Sequence, residues 1–168
     1  MKNKCLSLLP GQKGWKDYGR PNLAEVPDSV RTPAPALLSD ARSKDLALDV
    51  LTNAVGISRD NPTRIVNTPV EKVILRRELL EHVVQQRTDK RERYSNFLLP
   101  TLEDPYEVWL AQYSDSGLRT HYIGLYQDYR DMMAVVRIGK DGSLIWNLIR
   151  SGEKWLNNRR AGTLLFGR

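Results

Sequence analysis

Four strand-like runs follow one another between Glu107 and Ile149, joined by very short links. The runs are Glu107 to Tyr113, Leu118 to Tyr126, Met132 to Ile138 and Ser143 to Ile149. The links are Asp115-Ser-Gly117, Gln127 to Asp131 and Lys140-Asp-Gly142. Parallel neighbours need a crossover of about a dozen residues or more, so links this short allow only antiparallel pairing. Asp141-Gly142 is the strongest hairpin signal in the chain, because Asp-Gly readily takes the left-handed turn conformations that suit twisted strands. The expectation is a four-stranded antiparallel meander. Helical patterns gather ahead of it, so the predicted class is α+β, with N-terminal helices packed on the sheet.

Ahead of the strands, Ser39-Asp40 reads as a helix N-cap, with Leu46, Val50 and Leu51 at helical spacing and Gly56 as the stop. Arg64 to Thr68 reads as a short strand, and Glu71 to Leu75 fits strand or helix. Leu79, Leu80, Val83 and Val84 make an apolar stripe on a helix from Arg77 to Gln86. A third helix runs from Tyr94 to about Glu103, with Pro100 bending or ending it. Residues 1–38 hold Pro10-Gly11, Gly19-Arg20-Pro21, Pro27 and Pro33-Ala-Pro35. They read as an extended arm or linker, in which Trp15 and Tyr18 dock on the domain or on a partner. Residues 39–168 form one domain.

The 168 residues, 40% hydrophobic, suffice for one core plus the arm, and the net charge of +6 favours anionic partners, nucleic acid first. Cys5 is the single cysteine, which excludes an internal disulfide and a cysteine zinc cluster. The Leu-rich start is too short for a signal core, and no run is long and apolar enough to span a bilayer. The expectation is a cytoplasmic protein without a membrane partner. There is no phosphate-cradling glycine loop, no paired dinucleotide glycines, no His-Glu-x-x-His and no nucleophile elbow. No cofactor and no metal are expected.

Side chains alternate across a strand. Arg119, His121, Ile123 and Leu125 therefore share one face of the second run, and Thr120, Tyr122, Gly124 and Tyr126 the other. Cutting RNA takes a group that accepts the ribose 2′-hydroxyl proton, cations for the charged transition state, and an acid for the leaving oxygen. Histidine suits the proton transfers and arginine the phosphate. The two histidines are His82, at the edge of a helix stripe and facing solvent or a cleft, and His121, on a strand beside cross-strand neighbours. The run Arg87, Lys90, Arg91, Arg93 is either a solvated loop or a phosphate site. Arg159-Arg160 before Gly162-Thr163 is either a solvated turn or two guanidinium forks and a hydroxyl aimed at one phosphate. Trp109, Trp146 and Trp155 read as core before base platforms. Asn147 either bonds a substrate or faces solvent, and Glu107 either acts as a base or pairs with an arginine.

The run Arg93-Tyr94-Ser95-Asn96-Phe97-Leu98-Leu99-Pro100-Thr101-Leu102, with Asp104-Pro105-Tyr106-Glu107-Val108-Trp109-Leu110, resembles a phage-borne domain of the barnase–EndoU–colicin–RelE superfamily. Such domains lie at the C-terminus of Mu F-like head morphogenesis (minor head) proteins, and related ones occur in polymorphic toxins. His121-Tyr122-Ile123, Gly142 to Asn147 and Arg160 to Phe166 fit as well, and Leu9 to Lys13 with Trp15 to Tyr18 is similar to the linker before the domain. The resemblance implies an RNase-toxin-like α+β fold and metal-independent endoribonuclease activity on an RNA substrate. His82 would be the general base or acid, Arg91, Arg93 and Arg160 the phosphate clamps, and Thr163 a hydrogen-bond donor. It also implies an inhibitor protein or phage structural proteins as partners, a bacterial cytoplasm or virion as location, and origin as a stand-alone domain, prophage remnant or truncated product. The alternative is a non-enzymatic head-morphogenesis or nucleic-acid-binding module with a decayed site. The nuclease mechanism depends on His82 and Arg160 meeting over one groove.

Overall fold

The computed structural model describes residues 7–85 and 90–168. Cys5 and Arg87 lie outside the described residues. The elements are α1 (Lys44–Ala54), β1 (Thr63–Asn67), β2 (Lys72–Arg76), α2 (Arg77–Val84), a 3₁₀ segment (Arg91–Phe97), α3 (Leu98–Glu103), β3 (Glu107–Gln112), β4 (Leu118–Gly124), β5 (Met132–Gly139), β6 (Gly142–Arg150), α4 (Glu153–Arg159) and β7 (Thr163–Gly167).

The expected meander is present as β3 to β6, with β5 ending at Gly139 and β6 starting at Gly142. The sheet, however, is not four-stranded and not purely antiparallel. It has seven strands in the order β1-β2-β6-β5-β4-β3-β7, and β2 pairs with β6 in parallel through Val73↔Ser143 and Ile74↔Leu144. Nor do the helices all precede it, since α4 and β7 follow the last meander strand. The physical reason is that a meander leaves two edges with unpaired N–H and C=O groups. The β1–β2 hairpin covers part of one edge and β7 the other. These pairings join segments distant in sequence, and no local turn signal announces them.

Local chemistry sets the boundaries. The N-cap of α1 is Ser43, whose Oγ accepts from the Leu46 N–H at 3.2 Å, four residues later than the cap expected at Ser39. Pro100 sits in the first turn of α3, where a missing N–H costs nothing. Gly162 turns the chain from α4 into β7 with φ +101°, and a Cβ there would stand 2.0 Å from the Leu110 carbonyl oxygen, so only glycine fits.

Each face of the sheet carries its own core. On one side α1, α2 and α3 cover Val73, Leu75, Val108, Tyr122, Ala134, Val136, Ile145 and Leu148. On the other, residues 15–26 and α4 cover Trp109, Ile123, Met133 and Val135 with Leu23, Val26 and Leu156. Burying a side chain such as Leu51 or Leu80, both fully enclosed, stabilises by about 1.5–3 kcal/mol. The described N-terminal stretch, residues 7–38, carries two short 3₁₀ turns, Leu23–Glu25 and Asp28–Val30, and packs on the rest of the chain. It bridges Leu8 to Tyr113, Gly14 to Ala161 and Thr32 to Tyr126, and Arg31 forms a buried 2.5 Å pair with Asp131. Trp15 packs on the second core, and Tyr18 meets Trp109 edge-on at 5.3 Å. Among the described residues, no helix is long and apolar enough to cross a membrane.

Candidate active site

The pairing of β2 with β6 stops at Leu144, so beyond it β6 has β5 on one side and no strand on the other. The chain leaves β2 directly into α2, which packs along that open edge. A β-bulge falls at the same place. The register moves from Val135↔Asn147 to Val136↔Ile145, leaving Trp146 without a cross-strand partner. Bulges re-aim side chains. Here Ile145 and Leu148 enter the helix-side core, while Trp146 stands partly exposed at the rim.

His82, on the exposed face of α2, stacks on Trp146 with ring centroids 4.5 Å apart and planes inclined by 30°. The two rings line a recess of about 340 Å³ with Gln85, Arg91 and Asn147. Arg91 Nη1 donates to Asn147 Oδ1, and the Leu148 N–H donates to the same oxygen at 2.9 Å. The Arg137 guanidinium lies 4.6 Å from the Trp146 ring. Trp146 and Asn147 also form the wall of a second recess of about 280 Å³, completed by Tyr113, Arg119, Met133, Val135, Ile149, Trp155 and Arg159. Arg159 lies 4.6 Å from the Trp155 ring. No carboxylate is among the residues that line either recess. Arg119 is neutralised by Asp115 at 3.0 Å, and its hydrogen bond holds the Asp115 carboxyl down to about 2. Among the described residues, Arg137 and Arg159 have no carboxylate partner.

His121 is a different kind of histidine. It is fully buried, its Nδ1 donates to the Arg159 carbonyl at 2.9 Å, and its Nε2 accepts from the Tyr113 hydroxyl at 2.5 Å. Burial drives its pKa down to about 4, so it stays neutral at pH 7. Burial also raises the Tyr113 hydroxyl pKa, against the pull of Arg159 and Arg119, so the phenol keeps its proton.

The residues expected to form one site are not all brought together. His82 and Arg91 share the recess at β6. Arg93 turns instead to the Leu38 carbonyl, at 3.3 Å, and fastens the end of the N-terminal stretch. Arg160 and Thr163 lie by β3 and β7, at the far edge of the sheet, with β5 and β4 between. Arg160 is sealed in, with 1% of its surface exposed, and donates to both oxygens of Glu107 at 2.6 Å, to Pro21 and to Asn157. Glu107 also accepts from Arg20 at 2.7 Å and from the Trp109 indole at 2.8 Å. Burial alone would raise the Glu107 carboxyl, but the bonds and charge of Arg160, helped by Arg20 and Trp109, outweigh it and hold it below the ordinary range. Glu107 is therefore an ion-paired structural anion. Thr163 is exposed on the outermost strand. His82 and Arg160 do not meet over one groove.

Residues that the sequence reading passed over now enter the site: Arg137, Arg159 as distinct from its neighbour, and Tyr113. Arg137 was legible in principle, since it continues the Met133, Val135 alternation on β5. Among the described residues, no three His, Cys, Asp or Glu side chains group in a way that could hold a metal ion.

What this part of the sheet offers is an imidazole, a guanidinium and an amide in one recess, and in the next two tryptophans with Arg159, which has no carboxylate partner among the described residues. That inventory suits an anionic, aromatic ligand. Residues 50–167 match the family model described as phage-Barnase-EndoU-ColicinE5/D-RelE like nuclease2. The chain belongs to that nuclease family. The match begins in α1 and ends in β7, so it takes in the whole sheet and both recesses. Comparison with curated proteins finds no match, and neither does comparison with solved structures.

Proposed function

We propose that this nuclease-family chain is an endoribonuclease that cuts RNA at the β6 edge by acid–base chemistry, with His82 as its proton-transfer group. One observation carries the reading. Of the two histidines, only His82 has an open imidazole, and it stands against Trp146 in the same recess as Arg91 and Asn147.

RNA supplies its own nucleophile. The 2′-oxygen bonds to phosphorus, the P–O5′ bond breaks, the 2′ proton passes to His82, and the departing oxygen takes up a proton from water. The products are a 2′,3′-cyclic phosphate and a 5′-hydroxyl. Stacking on Trp146 fixes the plane of the imidazole, which places its nitrogens for that transfer. Arg91 and Arg137 face the charge that grows on the phosphate oxygens. A recess lined by imidazole, guanidinium and amide groups suits an internal oxygen nucleophile. The roles first expected of Arg93, Arg160 and Thr163 pass to Arg91, Arg137 and Asn147.

The test is cleavage of a labelled RNA in EDTA, read on a denaturing gel with end-group analysis. Wild type yields cyclic phosphate ends, and a single 2′-deoxy nucleotide at the cut site blocks the reaction. His82→Ala lowers the rate by about 10²–10⁴-fold with an unchanged circular dichroism spectrum. Full activity in His82→Ala overturns the assignment of the proton-transfer group. Intact RNA with wild type, alongside salt-sensitive binding, leaves a nucleic-acid-binding module instead.

A further inference from the structure

The second recess asks for a ligand of its own. Its floor is apolar, with Met133 1% and Val135 5% exposed, and its walls include Trp146, Trp155 and Tyr113. Its volume of about 280 Å³ lies just below the range typical of pockets that hold a whole small molecule, which suits one flat ring system. Arg159, without a carboxylate partner among the described residues, lines the recess beside Trp155 and gives it a cation, and Arg137, likewise without one, lies 4.6 Å from the Trp146 ring. A flat apolar group joined to an anion is the chemistry of a nucleotide, and a base reaches such a recess only when it is unpaired.

One group here can read the base edge. Asn147 lines both recesses. Its Oδ1 accepts from Arg91 and from the Leu148 N–H, which settles the orientation of the amide. The Nδ2 therefore carries its two hydrogens away from those partners and donates to no described residue. An amide with only donors to offer favours a carbonyl oxygen, which presents two lone pairs, over adenine, whose N1 and N7 each present one and sit beside the N6 amino donor.

We infer that the recess between Trp146 and Trp155 is a subsite for one unpaired base bearing a carbonyl oxygen, and that it selects the nucleotide held beside the His82 recess. This rests on the ribonuclease reading for its purpose but not for its test. Stacking and donor readout pull in opposite directions, because stacking by itself favours the larger adenine ring.

The experiment measures binding of the full chain to fluorescein-labelled 2′-O-methyl hexamers of uridine, adenosine and an abasic sequence, by anisotropy. The 2′-oxygen of these probes carries no proton, so they are not cut. Uridine is expected to bind about tenfold tighter than adenosine and tighter still than the abasic strand. Trp155→Ala brings uridine down to the abasic level, and Asn147→Ala removes the uridine preference over adenosine. Equal binding of uridine and abasic strands overturns the subsite. Adenosine bound as well as uridine overturns the carbonyl readout, and a uridine preference that survives Trp155→Ala overturns the location. Base-selective binding without RNA cleavage supports the subsite and sinks the ribonuclease reading. His82-dependent cleavage with base-indifferent binding does the reverse.

Discussion

Two parts of the sheet use the same residue type in opposite ways. At the β3–β7 edge Arg160 is closed in, its donors spent on Glu107, Pro21 and Asn157. On the sheet face between β4 and β6, Arg137 of β5 and Arg159 at the end of α4 lean on tryptophan rings with no carboxylate among the described residues to neutralise them. A guanidinium surrounded by a carboxylate and carbonyls holds a structure together. One held only by an aromatic face keeps its charge available to a ligand. Arg159 and Arg160 are adjacent in the chain, so the difference lies in the end of α4, where one side chain turns to the open recess and the next to the interior.

The sharpest way to break this contrast is to remove the closed pair. Arg160→Ala leaves Glu107 charged, with Arg20 and the Trp109 indole as its remaining partners, and is expected to cost about 3–5 kcal/mol in urea unfolding. Replacing both, Glu107→Leu with Arg160→Met, should cost less than Arg160→Ala alone, because no buried charge is stranded. If Arg160→Ala leaves stability intact and stops RNA cleavage, the closed edge is chemical after all and the contrast fails.

Particular residues show how much of this was legible. The hairpins follow from Asp-Gly and short links, and the two faces of β4 follow from simple alternation. His82 at a helix edge was visible from the apolar stripe beside it, and Asn147 was open to a substrate role. The seven-stranded sheet was not visible, because β1–β2 joins β6 and β7 joins β3 through backbone groups that carry no side-chain signature. The separation of Arg160 from Arg91 follows from that hidden topology. Spacing places residues along the chain, whereas a site depends on which edge each strand occupies.

The histidines sharpen the contrast at somewhat smaller magnitude. His121 titrates near 6.5 when unfolded and at about 4 when folded, so the unfolded chain binds the proton more readily. Its contribution is complete above pH 6.5, is lost progressively as pH falls from 6.5 to 4, and is constant below that. The full span is worth roughly 3 kcal/mol at about 1.4 kcal/mol per pH unit. His121→Gln, although less stable throughout, should show a flatter fall in unfolding free energy across that window than wild type. An identical slope in both proteins would mean that the buried imidazole is not held neutral.

The smallest effects test the open edge directly. Arg137→Gln and Arg159→Gln remove cations that hold no ion pair among the described residues, so each should change unfolding free energy by no more than about 0.5 kcal/mol. Each should also lower the slope of log binding constant against log salt for single-stranded RNA by about 0.7, the share of one phosphate contact. Thr163→Ala, exposed on the outermost strand at the other edge, is the control and should leave that slope unchanged. A slope that falls with Thr163→Ala but not with the arginine variants would put the nucleic acid across β7. The same measurement therefore separates a ligand that follows the broken edge of β6 from one that follows the covered edge.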